Sequence, residues 1–282
     1  MNIKIVPIAL SFFAAFSAHA QERIAVPLSD ASRPAVLEVN TFGTAINVSA
    51  TDGKEVVIVA RDATAKDGDE QRLGRPPRGR QGAGNDEEAN TTGLHRIPNS
   101  SIGLTATEEN NVVTVKTDFA RQSLALDISV PRNTSVRVKT VNGGDVTVTG
   151  VHGEHELSNM NGRIVANDLV GSLVASSTNG SIRASFTDVT ASKMMSFNTF
   201  NGDVDVTFPA KLAATLRVTS GNGEFYTDFD VTLQPQAPAV AQGGQNGRYQ
   251  VRLERETVAV VGKGGPDIRF KTFNGNVMVR KR

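Results

Sequence analysis

The sequence predicts an all-β protein built from repeated pairs of strands, and three observations support this. Asn-Gly pairs recur along the chain, apolar and polar residues alternate on both sides of them, and glycine is frequent, with 26 residues among 282. Alternation with a period of two is typical of half-buried strands. The pairs are Asn142-Gly143, Asn161-Gly162, Asn179-Gly180, Asn201-Gly202, Asn222-Gly223 and Asn274-Gly275.

Successive repeats carry the same class of residue at fixed distances from the asparagine. The first five asparagines are 19, 18, 22 and 21 residues apart, and the sixth follows an interruption. Mostly apolar residues stand six and four positions before the asparagine, and an apolar residue stands three after it, except where an extra Gly144 displaces the first repeat. The residue two before is small and polar in every repeat: Thr140, Asn159, Ser177, Thr199, Ser220 and Thr272. Each repeat is therefore predicted to be two short strands around a turn.

Two architectures can use an Asn-Gly turn, because both residues tolerate positive φ. In a hairpin meander the pair joins antiparallel neighbours, whereas in a solenoid it forms the corner of one coil. Local turn statistics favour the hairpin, and the regular period with equivalent residues at each offset favours a solenoid with coils of about 18–22 residues. In either case Gly180 is expected to hold a positive φ, so that Gly180→Val is more destabilising than Ser181→Val.

Residues 1–20 are predicted to be a signal peptide. Lys4 precedes an apolar run from Ile5 to Phe16, and Ala18 and Ala20 supply the small residues that a signal peptidase accepts before Gln21. The apolar run is shorter than the ~20 residues that a membrane-spanning helix needs. The mature chain, residues 21–282, is expected to be exported, either periplasmic or secreted, with no transmembrane segment.

Two segments interrupt the predicted solenoid of residues 21–282. Residues 62–98 are rich in Gly, Pro and charge, which predicts a flexible surface insertion; its arginines between residues 72 and 80 could bind an anionic group, but a solvated loop is the preferred interpretation. Residues 234–246 are rich in Gln, Pro, Ala and Gly, which predicts a flexible linker. Strand alternation returns from Tyr249 to Val261.

Two runs of the chain resemble a family of bacterial exported β-strand-repeat proteins, usually called "putative adhesin" domains of unknown function. These runs are Leu126–Gly143 and the closing run Gly264–Gly275, which is similar to the family's C-terminal coil. The resemblance covers roughly residues 123–282, with a weaker echo at residues 37–43, where the corner asparagine is missing. It implies a right-handed parallel β-solenoid, and it implies no activity or catalytic residues.

Composition and motifs exclude several kinds of chemistry. Lys and Arg total 30 against 29 Asp and Glu, so no basic field for nucleic acid is expected, and the absence of cysteine excludes disulfides and thiolate sites. The cluster His152, Glu154, His155 and Glu156 lacks the helical His-Glu-x-x-His spacing of zinc proteases, and His155 falls at an apolar offset. We expect no cofactor, and no catalytic residue is assigned.

One group of carboxylates is the weak candidate for a metal or acid–base site. Asp203 and Asp205 alternate on one strand, and Glu224 shares the offset of Asp203 one repeat later. Calcium or glycoside hydrolysis could use such a group. Because Arg163 and Arg183 occupy neighbouring outward offsets, a solvated charged face is the preferred interpretation.

These observations favour a non-enzymatic envelope protein that presents a rigid, adhesin-like binding surface to an envelope protein or a glycan. The alternatives are a polysaccharide-active lyase or hydrolase, and a scaffold that self-associates through exposed terminal coils. The second possibility arises because Val277–Val279 ends the chain with no obvious cap. The sequence does not identify the partner.

Overall fold

The computed structural model describes residues 22–62, 103–117, 124–190, 193–235, 239–245, 248–254 and 256–282, and in these ranges every regular element is a strand. The strands are β1 (Glu22–Pro27), β2 (Ala35–Phe42), β3 (Thr44–Thr51), β4 (Glu55–Asp62), β5 (Leu104–Glu109), β6 (Val112–Thr117), β7 (Leu124–Pro131), β8 (Thr134–Val141), β9 (Val146–Thr149), β10 (His152–Asn161), β11 (Ile164–Asn179), β12 (Ile182–Val189), β13 (Met195–Asn201), β14 (Val204–Phe208), β15 (Ala214–Ser220), β16 (Phe225–Thr227), β17 (Val231–Gln234), β18 (Ala239–Gln245), β19 (Arg248–Glu254), β20 (Glu256–Val261), β21 (Asp267–Thr272) and β22 (Val277–Lys281).

The strands on the two sides of each Asn-Gly pair do not pair with each other. The strand before the corner pairs in parallel with the equivalent strand of the next repeat, and so does the strand after the corner. One turn of the chain is therefore a coil with two sides, and the coils stack into a β-solenoid-like body. We call the strands before the corners the first sheet and those after the corners the second sheet. The hairpin meander is wrong.

Strand β11 runs through both sheets. Its first residues, Ile164–Asn167, pair with β9 and β12 in the second sheet, and its later residues pair with β10 and β13 in the first. The register shifts at Leu169, and the preceding Asp168 has a φ of +52°. An irregularity of this kind bends a strand, so the chain passes from one side of the stack to the other without a break in hydrogen bonding.

The coils do not stack in the order of the sequence. Within the described residues, eight coils follow one another as β6–β7, β2–β3, β8–β9, β10–β11, β11–β12, β13–β14, β21–β22 and β15–β16. The coil nearest the N-terminus and the coil nearest the C-terminus each lie second from an end. The closing run that the sequence suggested as the terminal coil is thus an interior coil, with parallel neighbours on both sides.

Antiparallel strands cover most of the exposed edges of the two terminal coils. At one end, β5 pairs with β6 and β4 pairs with β7, and at the other, β20 pairs with β15. Strand edges that remain unpaired can template association with other chains, so these strands act as caps. The expectation that the end of the chain lacks a cap is overturned because β22 lies between β14 and β16.

The core consists of the inward residues of both sheets. Alternate residues of most strands in the two sheets are buried, for example in β7 and β8, as the period-two pattern predicts. Aliphatic side chains fill most of the body, and four buried phenylalanines lie near the C-terminal end of the stack. The Phe186 and Phe208 rings stack with centroids 5.2 Å apart, and the Phe197 and Phe270 rings do the same.

The two predicted interruptions have different outcomes. Apart from Asp62, which ends β4, residues 62–98 lie outside the described residues. Within the predicted linker of residues 234–246, residues 239–245 form β18, which pairs antiparallel with β19. A segment rich in Gln, Ala and Gly can pair through its backbone when a partner strand lies opposite, whatever its composition.

Candidate functional site: the face beside the asparagine corners

The six corner asparagines form one continuous ladder along the stack. Every side-chain amide except that of Asn142, which only accepts, donates to the Oδ1 of the asparagine in the neighbouring coil. In spatial order the members are Asn142, Asn161, Asn179, Asn201, Asn274 and Asn222, with donor–acceptor distances of 2.6, 2.9, 2.8, 2.8 and 2.9 Å. An amide group has two donor hydrogens and two acceptor lone pairs, so each member keeps hydrogen-bonding capacity that faces outward.

A second row of bonds runs inside the corners. In five of the six repeats, the small polar residue two before the asparagine is buried or half-buried and donates to the carbonyl oxygen of a corner glycine in the neighbouring coil. These bonds are Asn159 Nδ2 to Gly144 O at 3.0 Å, Ser177 Oγ to Gly162 O at 3.4 Å, Thr199 Oγ1 to Gly180 O at 2.9 Å, Thr272 Oγ1 to Gly202 O at 3.1 Å and Ser220 Oγ to Gly275 O at 3.4 Å. The invariant polar class at this offset therefore has a packing cause.

The corner glycines are required mainly because neighbouring backbones approach closely. A Cβ on Gly180 would lie 2.0 Å from the Gly162 carbonyl oxygen, and one on Gly223 would lie 1.9 Å from that of Gly275. The expectation of a positive φ at Gly180 is wrong, since neither of these glycines is in the left-handed region. A side chain is excluded by the adjacent coil rather than by local backbone strain.

The first corner differs from the others in detail. Asn142 has a φ of +52°, and it is Gly144, not Gly143, whose carbonyl accepts from the following coil. The extra Gly144 thus takes the acceptor role that the corner glycine has in the other coils. On the other side of this corner, the coil β2–β3 turns at Gly43, where the asparagine is missing, and the buried hydroxyls of Thr41 and Thr140 have no hydrogen-bond partner.

A row of exposed apolar side chains lies beside the ladder, and the sequence reasoning missed it. These residues immediately precede the corner asparagine, or Gly43 in the coil that lacks one, and they point outward from the first sheet. The five apolar residues are 37% to 51% exposed, and they are Phe42, Val141, Met160, Phe200 and Phe273. Thr178 occupies the same row and is also exposed. The Phe200 and Phe273 rings stack with centroids 4.9 Å apart. The sequence does indicate this row, because an apolar residue stands one position before the asparagine in four of the six repeats.

A row of polar side chains lies on the other side of the apolar row. It holds the outward residues two positions earlier on each strand, which are Asn40, Lys139, Ser158, Ser176, Asn198 and Lys271. The face therefore consists of an apolar row between two rows of hydrogen-bonding groups, repeated at the ~4.8 Å spacing of parallel strands. We call these three rows the ladder face.

The candidate carboxylates do not come together. Glu224 is not in the coil next to Asp203, because the β21–β22 coil lies between them and places Asn276 there. Asp203 Oδ1 accepts from the Asn276 backbone N–H at 2.7 Å, and Asn276 Oδ1 accepts from the Glu224 N–H at 3.0 Å. These two side chains therefore hydrogen-bond to the backbone at the corner of the adjacent coil. The adjacency inferred from the sequence is wrong because the repeats stack out of order.

The side-chain carboxylates of Asp205 and Glu224 each have partners of their own. Asp205 lies 2.8 Å from Arg280 Nε and 3.9 Å from Arg183 Nε, with its side chain 18% exposed. The Glu224 carboxylate accepts from the Tyr226 hydroxyl at 2.5 Å, which raises the pKa of that hydroxyl. Each carboxylate thus has a structural partner of its own, and the three do not share a centre.

The histidine cluster is divided between the two faces of β10. His155 points inward and is 3% exposed, with its Nδ1 3.3 Å from the Val136 N–H, whereas Glu154 and Glu156 point outward to Lys193 and Lys139. Burial lowers the pKa of His155 to about 4, because the imidazolium would lose its hydration. The ring is therefore a neutral core side chain near pH 7.

Other predicted features fall outside these sites. Ala20, Gln21 and the arginines between residues 72 and 80 lie outside the described residues. In the part of the chain that is described, no helix is long and apolar enough to cross a membrane, and no three His, Cys, Asp or Glu side chains group as metal ligands do.

Comparison with known proteins gives the following matches. The family model described as Toastrack DUF4097 matches residues 117–257. A crystal structure of a "putative cell adhesion protein" from Clostridium sporogenes is 8% identical with a TM-score of 0.45, covering 93% of this chain and 100% of that one. A "putative adhesin" from Bacteroides fragilis is 11% identical with a TM-score of 0.42, covering 94% and 98%. No curated protein sequence matches.

The matched region contains the strands from β7 to β19, and with them five of the six corner asparagines. It spans half of the 282 residues. The family model thus describes most of the β-solenoid-like stack and most of its corners. The chain belongs to the Toastrack DUF4097 family.

Proposed function

We propose that this protein is a non-enzymatic, adhesin-like scaffold of the bacterial envelope, and that the ladder face binds its partner. The observation that carries the proposal is the apolar row, which occupies five of six consecutive coils, with Thr178 in the sixth, and lies beside the asparagine ladder in all but the Phe42 coil. Contiguous apolar surface bordered by polar groups marks interaction sites in soluble proteins. The partner is an envelope protein or a glycan.

The stacking supports a rigid surface. The ladder and the bonds from the inward polar row to the glycine carbonyls join neighbouring coils at the edge of this face. The backbone groups of the strands from β2 to β21 in the first sheet are paired on both sides. A surface held in this way loses little conformational entropy when it binds, which favours affinity.

The non-catalytic role rests on how the carboxylates are used. Acid–base catalysis needs two groups poised around one substrate bond, and Asp203, Asp205 and Glu224 each contact different structural partners. The right-handed winding and the export of residues 21–282 belong to the same proposal. The first rests on the general handedness of parallel crossovers, and the second on the signal-peptide pattern at Ala18–Ala20.

Substitution of the apolar row tests the proposal. Thr178 already occupies one position of the row, so Met160→Thr/Phe200→Thr extends a residue that the fold accepts there. The control is Leu233→Thr, which removes an apolar side chain that is 62% exposed on β17, away from the ladder face. The purified mature protein, immobilised, is incubated with solubilised envelope proteins and envelope glycans, and capture is compared between variants.

We expect the double variant to lose most of the capture that the wild type and Leu233→Thr show, with unchanged melting temperature. Equal capture by all three proteins would contradict the proposal. Turnover of a polysaccharide by the wild type, abolished in Asp203→Asn/Asp205→Asn with the fold intact, would favour the lyase or hydrolase alternative. Sedimentation as a concentration-dependent polymer would favour the self-associating scaffold.

A further inference from the structure

One end of the ladder face carries two cations that no carboxylate neutralises within the described residues. Arg269 and Lys271 alternate on β21, point outward and are exposed. On β13 the residues beside them in register are Ser196 and Asn198. Two other cations of the first sheet differ, since Arg137 pairs with Glu38 at 2.9 Å and Lys139 pairs with Glu156 at 3.8 Å. The end of the face formed by β13, β21 and β15 is therefore positively charged, and we call it the basic end.

The strand on the other side of β21 adds no net positive charge, so the charge of the basic end comes from Arg269 and Lys271. Arg217 of β15 lies beside Arg269 in register. It holds Asp267 at 2.7 Å and Glu256 at 3.1 Å, so the two nearest carboxylates are already engaged. Arg269 and Lys271 have no carboxylate partner among the described residues, and the field of two such neighbouring cations attracts anions. The arrangement is explained if an anionic ligand completes it.

An aromatic surface adjoins the two cations. Phe273 stands two residues after Lys271 on the same face, and its ring stacks on that of Phe200. The next position of the row, on β15, is Gly221, where a Cβ would lie 2.8 Å from the Phe273 ring. The Phe273 ring thus occupies the space that a side chain at Gly221 would fill, and Phe273 remains 38% exposed.

The chemistry of the basic end fits a sugar better than a peptide. Strands β13 and β21 are paired on both edges, so a peptide cannot add to them as a further strand. A pyranose ring presents an apolar C–H surface bordered by hydroxyls. The apolar row, with the ladder amides on one side and Asn198 and Thr219 on the other, offers the complementary groups. The cations add a requirement for negative charge.

We infer that the basic end of the ladder face binds a carboxylated polysaccharide, a chain containing uronic-acid residues. The inference rests on the proposed function and adds the class of ligand to it. A uronic carboxylate lies between Arg269 and Lys271, and a neighbouring sugar ring of the same polysaccharide contacts Phe273. Neighbouring sugar residues follow the apolar row toward Phe200 and Met160.

Calorimetric titration of the mature protein with an oligogalacturonate and with its carboxyl-reduced, neutral counterpart tests this. Because the two probes differ only in charge, we expect the neutral oligomer to bind at least about tenfold more weakly, as the loss of about two charge contacts predicts. Binding of the charged oligomer is expected to weaken as salt is raised from about 10 mM to about 150 mM, since exposed charges are screened.

Variants locate the site. Arg269→Gln/Lys271→Gln is expected to lower affinity for the charged oligomer about tenfold, and Phe273→Thr by a similar factor through loss of the ring contact. The matched control is Arg183→Gln/Lys211→Gln, which removes the same net charge from exposed positions outside the ladder face. It should bind as the wild type does. Thermal unfolding checks that all variants are folded.

Three outcomes would overturn the inference. These are equal affinity for the neutral oligomer, equal affinity for polyglutamate of the same length, and equal loss of affinity in the control variant. If the oligogalacturonate does not bind while Met160→Thr/Phe200→Thr still abolishes capture of envelope material, the ligand class is wrong and the proposed binding face remains. If neither effect is seen, both fail.

Discussion

Replacing Gly180 by alanine should be among the most destabilising single-methyl additions in this chain. The new Cβ would meet the Gly162 carbonyl oxygen at 2.0 Å, and ordinary contact begins near 3.4 Å, so the backbones of the two coils must separate by about 1.4 Å. The obstacle is backbone rather than the end of a flexible side chain, so rotamer changes cannot relieve it.

The cost follows from the bonds that bridge these two coils at the corner. They are Gly162 N–H to Asn179 O at 3.1 Å, Asn179 Nδ2 to Asn161 Oδ1 at 2.9 Å and Ser177 Oγ to Gly162 O at 3.4 Å. A separation of more than 1 Å breaks or strongly weakens all three. At about 1 kcal/mol each, Gly180→Ala should lower the free energy of unfolding by about 3 kcal/mol.

Urea denaturation followed by far-ultraviolet circular dichroism measures this loss, since the chain has no tryptophan to serve as a fluorescent probe. Two controls separate the causes. Ser181→Ala changes the next residue and should cost less than about 0.5 kcal/mol. Gly43→Ala introduces a Cβ at a φ of +70° with nothing within 4 Å, and should cost only the backbone strain, about 1 kcal/mol. Equal midpoints for Gly180→Ala and Ser181→Ala would refute the close-approach argument.

Three further predictions concern the ladder, the buried histidine and the interior position of the last coil. Asn201→Asp should lower the free energy of unfolding by about 1–2 kcal/mol in urea denaturation, because a carboxylate would face Asn179 Oδ1. Asn142→Asp should be nearly neutral, since Asn142 only accepts in the ladder. Equal losses for the two variants would contradict the direction of the ladder. His155 has a pKa of about 4 in the folded chain against 6.5 when unfolded, so stability should fall by about 3 kcal/mol as pH drops from 6.5 to 4, and His155→Leu should remove that slope in pH-dependent thermal unfolding. Hydrogen exchange should show the amides of Val277 and Val279 protected as well as those of β12, because β22 is paired on both sides; rapid exchange there would place β22 at an exposed edge.

The sequence was sufficient to predict the corners because each corner residue is determined by its nearest neighbours. The asparagine bonds to the asparagine of the next coil, the polar residue two before it bonds to a glycine carbonyl, and the glycine leaves room for that carbonyl. These requirements recur in most of the coils with an asparagine corner, so they appear as a period in the sequence. The weak echo at Leu37–Gly43 is a coil although none of the three is met there, because its inward apolar residues follow the same alternation.

The order of the coils could not be predicted, since equivalent coils offer nearly identical edges to one another. Nothing local in β21 distinguishes a position after β15 from a position between β13 and β15. That choice depends on long-range pairing, in which β20 folds back antiparallel on β15 and takes the outer edge. The error at Glu224 followed directly, because an offset shared by consecutive repeats indicates spatial adjacency only if the repeats stack consecutively.

Inward and outward strand positions have different roles, and this explains why the fold can be predicted from the sequence more easily than the binding surface. In each repeat the residues six, four and two before the asparagine are inward, and they satisfy the core and the neighbouring corner. The residues five, three and one before it are outward, and the stack imposes no requirement on them beyond compatibility with a strand. An exposed apolar residue at such a position, as at Met160 or Phe200, costs solubility and contributes little to folding. Its recurrence beside the ladder in coil after coil is therefore the feature of this chain that packing does not explain and that binding does.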